Sequence, residues 1–201
     1  IREFCLSRGL GDVYKRQEEN LSDFGRGGIK MKVELENVKP MDIEKRSFEI
    51  ITEELGDTPL IPGTELVVKR CIHTSADFDY AKNLCFSENA VEKAIQAIKD
   101  GACIVTDTQM AKAGINKRAL ARYGGEVYCF MSDEDVAKIA KENGSTRATA
   151  SMDKAAGLDK KLIFAIGNAP TALVRLYELI EDGKLNPELI IGVPVGFVNV
   201  V

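Results

Sequence analysis

The residues best suited to proton chemistry lie in segment 67–81, VVKRCIHTSADFDYA. It contains His73, the only histidine of the chain, three residues after Arg70. An imidazole titrates near neutral pH, so His73 is a candidate proton donor or acceptor. A single histidine can equally be a structural or surface residue. The sequence contains no G-x-S-x-G motif and no histidine-paired cysteine motif that would indicate a nucleophile. Residue type alone therefore leaves both interpretations of His73 open.

Three other segments place polar residues or glycines directly after apolar runs: VTDTQMAKAG, AIGNAPTAL and GVPVGFV. Their candidate ligand contacts are Thr106, Asp107, Gly167, Asn168, Gly192 and Gly196. Pro170 indicates a helix start, where free backbone N–H groups attract carboxylate or phosphate. The alternatives are that Thr106 or Asp107 caps the next helix, and that the glycine turns only redirect the chain. Neither G-x-G-x-x-G nor a P-loop is present, so no nucleotide fingerprint supports a phosphate ligand.

An arginine and the cysteines complete the search for site residues. Arg147, in NGSTRATASM, could bind a ligand carboxylate through two parallel hydrogen bonds, although a solvated surface arginine is the alternative. The five cysteines are scattered, without a C-x-x-C pair or a second histidine. Zinc and iron–sulfur sites therefore lack their ligand spacing, and no metal site is predicted.

The elements that must position these residues follow from the alternation of apolar runs and helical periodicity. Buried strands are predicted at 102–107, 126–131, 161–167 and within 188–198, and helices at 41–55, 63–72, 87–101, 132–144, 146–157 and 169–183. This order predicts a single α/β domain, Rossmann-like and three-layered, with a mostly parallel sheet and helices on both faces. Ligands bind such sheets beyond the carboxyl ends of the strands, where the three candidate turns lie.

Composition narrows the class of protein further. The 201 residues are 45% hydrophobic and carry a net charge of −4, so neither nucleic acid nor an anionic membrane is an expected partner. No apolar run is long enough to cross a bilayer. The odd cysteine number and the lack of a signal peptide favour a reducing cytoplasm. Residues 1–30 lack periodicity and are predicted to be a foreign or disordered segment before Met31; a regulatory arm is the alternative.

Taken together and in order, the motifs resemble the precorrin-8X methylmutases of corrin biosynthesis, called cobalt-precorrin-8 methylmutases in the anaerobic route. The matching pieces are IEKRSFEII, the histidine with FDYAKNLCFS, GACIVTDTQMAKAGI, STRATASM, AIGNAPTALVRLYELI and GVPVGFV. The resemblance implies an isomerase that moves a methyl group from C-11 to C-12 of the macrocycle, giving hydrogenobyrinate or cobyrinate. It implies a homodimer with an α/β fold, and neither a redox cofactor nor a catalytic metal.

The resemblance also assigns roles to residues. His73 falls on the family's acid, which protonates the macrocycle so that the methyl group can migrate. The predicted substrate contacts are Ser47, Arg70, Thr106, Asp107, Arg147, Gly167, Asn168, Gly192 and Gly196. The substrate is a large, flat ring rimmed with carboxylates, so it requires an apolar slot and several separate anion donors.

Two other functions compete with this one, and the chain departs from the family in one respect. A non-catalytic corrinoid-binding or carrier protein would need the same slot without turnover. A nucleotide-dependent α/β enzyme is a weaker alternative, because no phosphate fingerprint is present. Family chains continue beyond the GFV motif, so the domain at 31–201 is expected to lack a C-terminal strand and helix.

Overall fold

A computed structural model describes residues 39–195. Within them the chain divides into two units, with the boundary in sequence between Ser87 and Glu88. Each unit is described by itself below. The segment 1–30 that was predicted to be foreign and the predicted contact Gly196 lie outside the described residues.

The first unit is helical. A 3₁₀ turn at Pro40–Asp42 leads into α1 (Ile43–Leu55), which is followed by α2 (Glu65–Ser75) and α3 (Tyr80–Asn83). Apolar residues recur at helical spacing on α1 and α2, and they pack into one core with Ile51, Leu55, Val68 and Ile72 at its centre. This packing fixes the two helices side by side.

The second unit is built on a four-stranded sheet. Its elements are α4 (Ala90–Lys99), β1 (Cys103–Thr106), α5 (Gln109–Gly114), α6 (Lys117–Ala121), β2 (Val127–Tyr128), α7 (Glu134–Glu142), α8 (Arg147–Ala156), β3 (Leu162–Ile166), α9 (Pro170–Glu181) and β4 (Leu189–Gly192). The strand order is β2-β1-β3-β4 and every neighbouring pair is parallel. Consequently the carboxyl ends of all four strands lie at one edge of the sheet.

Side chains of β3 show how the sheet is covered. Leu162, Phe164 and Ile166 point to one face and join a core with residues of α8 and α9, including Met152 and Leu176. On the opposite face, Ile163 packs in a separate cluster with Ala97 of α4 and with Ala102. Strands buried on both faces have nearly continuous apolar sequences, which is why they could be recognised. The predicted fold class, α/β with a parallel sheet between helices, is confirmed.

The predicted helices and strands are present. Their bounds are shorter than predicted except at α2, which starts later than predicted and continues to Ser75, and three short helices were not predicted: α3, α5 and α6. Each spans six residues or fewer, which is too short for an apolar period to emerge. None of the helices within 39–195 has the length and apolar character needed to span a membrane.

Candidate active site

The single histidine makes a hydrogen bond between two helices of the first unit. His73 lies in the last turn of α2 and Ser47 lies in the first half of α1. The packing of Ile51 and Ile72 in the core between α1 and α2 brings the two side chains together. Ser47 Oγ is 2.8 Å from His73 Nδ1, and both residues are half-buried.

A cavity of about 470 Å³ opens beside this pair. Ser47 and His73 line it, and its apolar walls are Ile43, Ile50, Ile51, Ile72 and Phe78. Arg46 and Glu54 also line the cavity and supply its charged groups. A titratable ring at the edge of an apolar cavity can transfer a proton to an apolar molecule that fills the cavity. The cavity is therefore the candidate active site of the first unit.

Arg70 lies near His73 but is not among the residues that line the cavity. Its Nη2 donates to Glu44 Oε1 at 2.8 Å, and its guanidinium carbon is 4.9 Å from the centre of the Phe48 ring. The hydrogen bond from Arg70 holds the pKa of the Glu44 carboxyl below its usual value. Phe48 in turn contacts His73, with the ring centres 5.7 Å apart. Arg70 as a substrate contact stays a prediction, and the structure gives it an internal partner.

In the second unit, Asp107 bonds the turn that follows β3. Its carboxylate accepts hydrogen bonds from the backbone N–H groups of Gly167 at 3.1 Å, Asn168 at 2.7 Å and Ala169 at 2.8 Å. Asp107 is only 1% exposed. The N–H groups at the start of α9 that were predicted to attract a ligand anion thus bind a carboxylate of the chain itself. Ligand contacts by Asp107, Gly167 and Asn168 stay predictions, and for Gly167 and Asn168 they would have to use atoms other than these N–H groups.

The alternative that Thr106 or Asp107 caps the next helix is wrong. Thr108 caps α5, because its Oγ1 accepts the N–H of Ala111 at 3.1 Å. Thr106 is fully buried, and its hydroxyl lies 3.0 Å from the carbonyl oxygen of Thr108 and 3.2 Å from that of Tyr128. The Thr106 hydroxyl therefore bonds carbonyl groups inside the unit.

Arg147 is the first residue of α8 and is exposed. Thr146 Oγ1, which caps α8, lies 3.1 Å from Thr171 Oγ1 in the first turn of α9. The amino-terminal ends of α8 and α9 are therefore adjacent. Within residues 39–195, no hydrogen bond or ion pair engages the Arg147 guanidinium. A ligand contact by Arg147 stays a prediction, and a solvated surface arginine stays its alternative.

The predicted glycine contacts have different local roles. A Cβ added at Gly192, the last residue of β4, would come within 3.2 Å of the Leu173 side chain on α9. Glycine at this position allows β4 to lie close to α9. A Cβ at Gly167 would meet no atom within 4 Å, so its glycine is not required by packing.

Sequence reasoning missed the two residues that extend the histidine cluster, Glu44 and Phe48. They lie one turn apart on α1, and the only available signal was their i, i+4 spacing beside Ser47. In the part of the chain that the structure describes, no group of three His, Cys, Asp or Glu side chains has a metal-binding arrangement.

Comparisons with known proteins agree on one family. The sequence profile of precorrin-8X methylmutase matches residues 42–201. The cobalt-precorrin-8 methylmutase of Priestia megaterium is 46% identical over 162 residues, which cover 81% of this chain and 72% of the relative. That of Leptospira interrogans is 46% identical over 160 residues, covering 79% and 73%. The crystal structure of precorrin-8X methyl mutase from Thermus thermophilus superposes with a TM-score of 0.70 at 39% identity, covering 80% of this chain and 77% of that chain.

Proposed function

Because the chain belongs to the precorrin-8X methylmutase family, we propose that it moves a methyl group from C-11 to C-12 of the corrin precursor in cobalamin biosynthesis. The protein is an isomerase, so the product has the composition of the substrate. One observation supports the chemistry more than any other: His73, the single histidine, lies at the edge of an apolar cavity and is hydrogen-bonded there by Ser47.

In the proposed reaction, His73 donates a proton to the macrocycle. Protonation makes the ring electron-poor, so the methyl group migrates with its bonding electrons from C-11 to C-12. Loss of a proton then restores the composition. The apolar walls of the cavity contact one face of a flat ring, which limits the positions at which the proton can be delivered. His73 therefore supplies the proton, and the cavity determines which position of the macrocycle receives it.

We also propose that the substrate carries cobalt, since the two relatives at 46% identity are named for cobalt-precorrin-8. A homodimer that acts in the cytoplasm is part of the same proposal. The family resemblance supports the dimer, and the odd number of scattered cysteines supports a reducing compartment. Neither proposal alters the role of His73.

The proposed function is tested by mixing the purified protein with cobalt-precorrin-8 and, separately, with precorrin-8X. We expect the visible spectrum to change at constant mass, because conjugation extends while composition is unchanged, and we expect the cobalt-bearing substrate to turn over faster. A non-catalytic carrier would bind both compounds, as titration would show, and would leave them unisomerised. That result would refute the enzyme and support the carrier.

Arg147→Gln is expected to raise KM, or the Kd of the product, by about tenfold while leaving the melting temperature unchanged. The reason is the loss of a charge-assisted hydrogen bond to a substrate carboxylate, whose usual contribution corresponds to roughly that factor. Stability should not change, because the guanidinium has no partner within residues 39–195. Steady-state kinetics and thermal unfolding provide the measurements.

Arg122→Gln is the matched control for Arg147. It removes the same charge from an exposed position after α6, where we place no substrate contact. If both variants raise KM equally, the effect is long-range electrostatics and Arg147 is not a substrate contact.

A further inference from the structure

On the basis of the proposed acid role of His73, we infer that Ser47 is a positioning residue rather than a substrate contact. Its hydroxyl is hydrogen-bonded to Nδ1 of the His73 ring, so that Nε2 is the nitrogen that exchanges the proton with the substrate. This assignment replaces the substrate contact predicted for Ser47 and identifies Nε2 as the atom of His73 that carries the transferred proton.

The hydrogen bond commits one nitrogen of the ring in every protonation state. Ser47 Oγ and His73 Nδ1 are 2.8 Å apart, and a hydroxyl can either donate or accept. When the ring is an imidazolium, Nδ1–H donates to Oγ, and this bond persists after Nε2 has released its proton. The lone pair left on Nε2 can then take a proton back. Because no other hydrogen bond of the ring is seen in the described residues, Nε2 is the nitrogen available for transfer.

The orientation of the Ser47 hydroxyl is itself informative. A serine inside a helix usually donates to a carbonyl group one turn earlier in the same helix. Thr52 on α1 does this, with its hydroxyl 2.6 Å from the carbonyl oxygen of Phe48. The only hydrogen bond of the Ser47 hydroxyl in the described residues is the one to His73 on the neighbouring helix. The side chain is thus used to connect α1 with the histidine.

A second contact restricts rotation of the His73 ring. Phe48, the residue after Ser47, lies against the ring with an interplanar angle of 41°. Phe48 is restrained in turn, because the Arg70 guanidinium lies over its ring and is hydrogen-bonded to Glu44. Ser47 fixes the edge of the imidazole while Phe48 restricts its plane, and together they direct Nε2 away from the bond with Ser47.

The test uses the fact that the chain contains one histidine. Protein labelled with ¹⁵N-histidine and purified with a histidine-free affinity tag gives the signals of a single imidazole. In the wild type, at a pH where the ring is neutral, we expect the Nδ1 and Nε2 shifts of one dominant tautomer. In Ser47→Ala we expect averaged shifts from a mixture of tautomers, and in Ser47→Thr, which keeps a hydroxyl, a return toward the wild type.

Kinetics distinguish positioning from substrate contact. Ser47→Ala should lower kcat about tenfold with KM changed less than twofold, in keeping with the loss of one hydrogen bond to the acid. Ser47→Thr should recover most of the rate. A substrate contact would instead raise KM. Thr52→Ala is the matched control, because it removes a hydroxyl from the same helix whose only partners in the described residues are the Phe48 carbonyl and Lys69. It should change neither kcat nor the nitrogen shifts of His73.

The two readouts separate this inference from the proposed function. If the wild type does not isomerise the substrate but Ser47→Ala still changes the tautomer, the enzyme proposal fails and the hydrogen bond stands as structural only. If Ser47→Ala leaves the imidazole shifts unchanged, or changes them without lowering kcat, the positioning role is overturned.

Discussion

His73→Asn is expected to reduce turnover by about 10²–10⁴-fold, which is the usual contribution of general acid catalysis. Asparagine is close in shape to the proximal half of the imidazole and can still hydrogen-bond to Ser47, so α1 and α2 should stay packed around Ile51 and Ile72. What the amide cannot do at neutral pH is carry and release a proton. We therefore expect the rate of isomerisation to fall, whereas the Kd for the corrin product should change little.

The measurement is a single-turnover experiment with enzyme in excess over substrate, followed by visible absorbance and paired with titration of the product. Lys69→Gln is the matched control, since it changes a half-buried residue of the same helix whose ammonium, within residues 39–195, bonds only Thr52. We expect that control to match the wild type in both readouts. A His73→Asn protein that isomerises at the normal rate would show that the acid is another group.

The strands of the second unit could be predicted because a strand buried on both faces has an uninterrupted apolar sequence. Phe164 and Ile163 face opposite sides of β3 and are both buried, so the strand contains no polar residue to interrupt the apolar run. The positions of the three turns followed from the same pattern, because turns must come where each run ends. A parallel sheet then places those turns at one edge. The fold class and the positions of these turns were therefore predictable together, whereas the cavity beside His73 lies in the helical first unit and does not follow from the strand pattern.

Partners within the site could not be predicted in the same way. Ser47 and His73 are 26 residues apart, and Asp107 bonds a turn 60 to 62 residues further along the chain. No local period connects such residues, because the pairing depends on the register of β1 and β3 and on the packing of α1 against α2. Sequence identified each residue as polar and well placed, and it could not decide between a ligand and a residue of the same protein as its partner.

Helix starts were also imprecise. Ser87 and Ser132 open the predicted helices 87–101 and 132–144, and serine is a favoured cap residue. In the structure, α4 is instead preceded by Asn89 in a left-handed conformation and α7 by Asp133. Neither Asn89 nor Asp133 makes a side-chain cap hydrogen bond. Capping preferences are worth about 1 kcal/mol, so the packing of a neighbouring segment can override them.

Asp107→Ala is expected to lower the free energy of unfolding by about 3 kcal/mol or more. The substitution removes the hydrogen bonds that the N–H groups of Gly167, Asn168 and Ala169 donate to a buried carboxylate, and a hydrogen bond to a charged group contributes about 1.5–3 kcal/mol. It also removes a negative charge from the amino-terminal end of α9, where the helix dipole favours one. At about 2–4 °C per kcal/mol for a chain of this size, the melting temperature should fall by roughly 6–12 °C. Thermal unfolding followed by circular dichroism measures the change.

Asp107→Asn should fall between the wild type and Asp107→Ala, because the amide keeps one oxygen as an acceptor but directs N–H donors at a site made of donors. Asp100→Asn is the matched control: it neutralises an exposed aspartate that contacts Lys161 and Gln96, and it should leave the melting temperature near that of the wild type. Kinetics decide the remaining question about Asp107. If Asp107→Asn raised KM at an unchanged melting temperature, its carboxylate would be a substrate contact. A fall in melting temperature with KM conserved in the remaining folded enzyme would instead show that Asp107 holds the turn whose other atoms face the ligand.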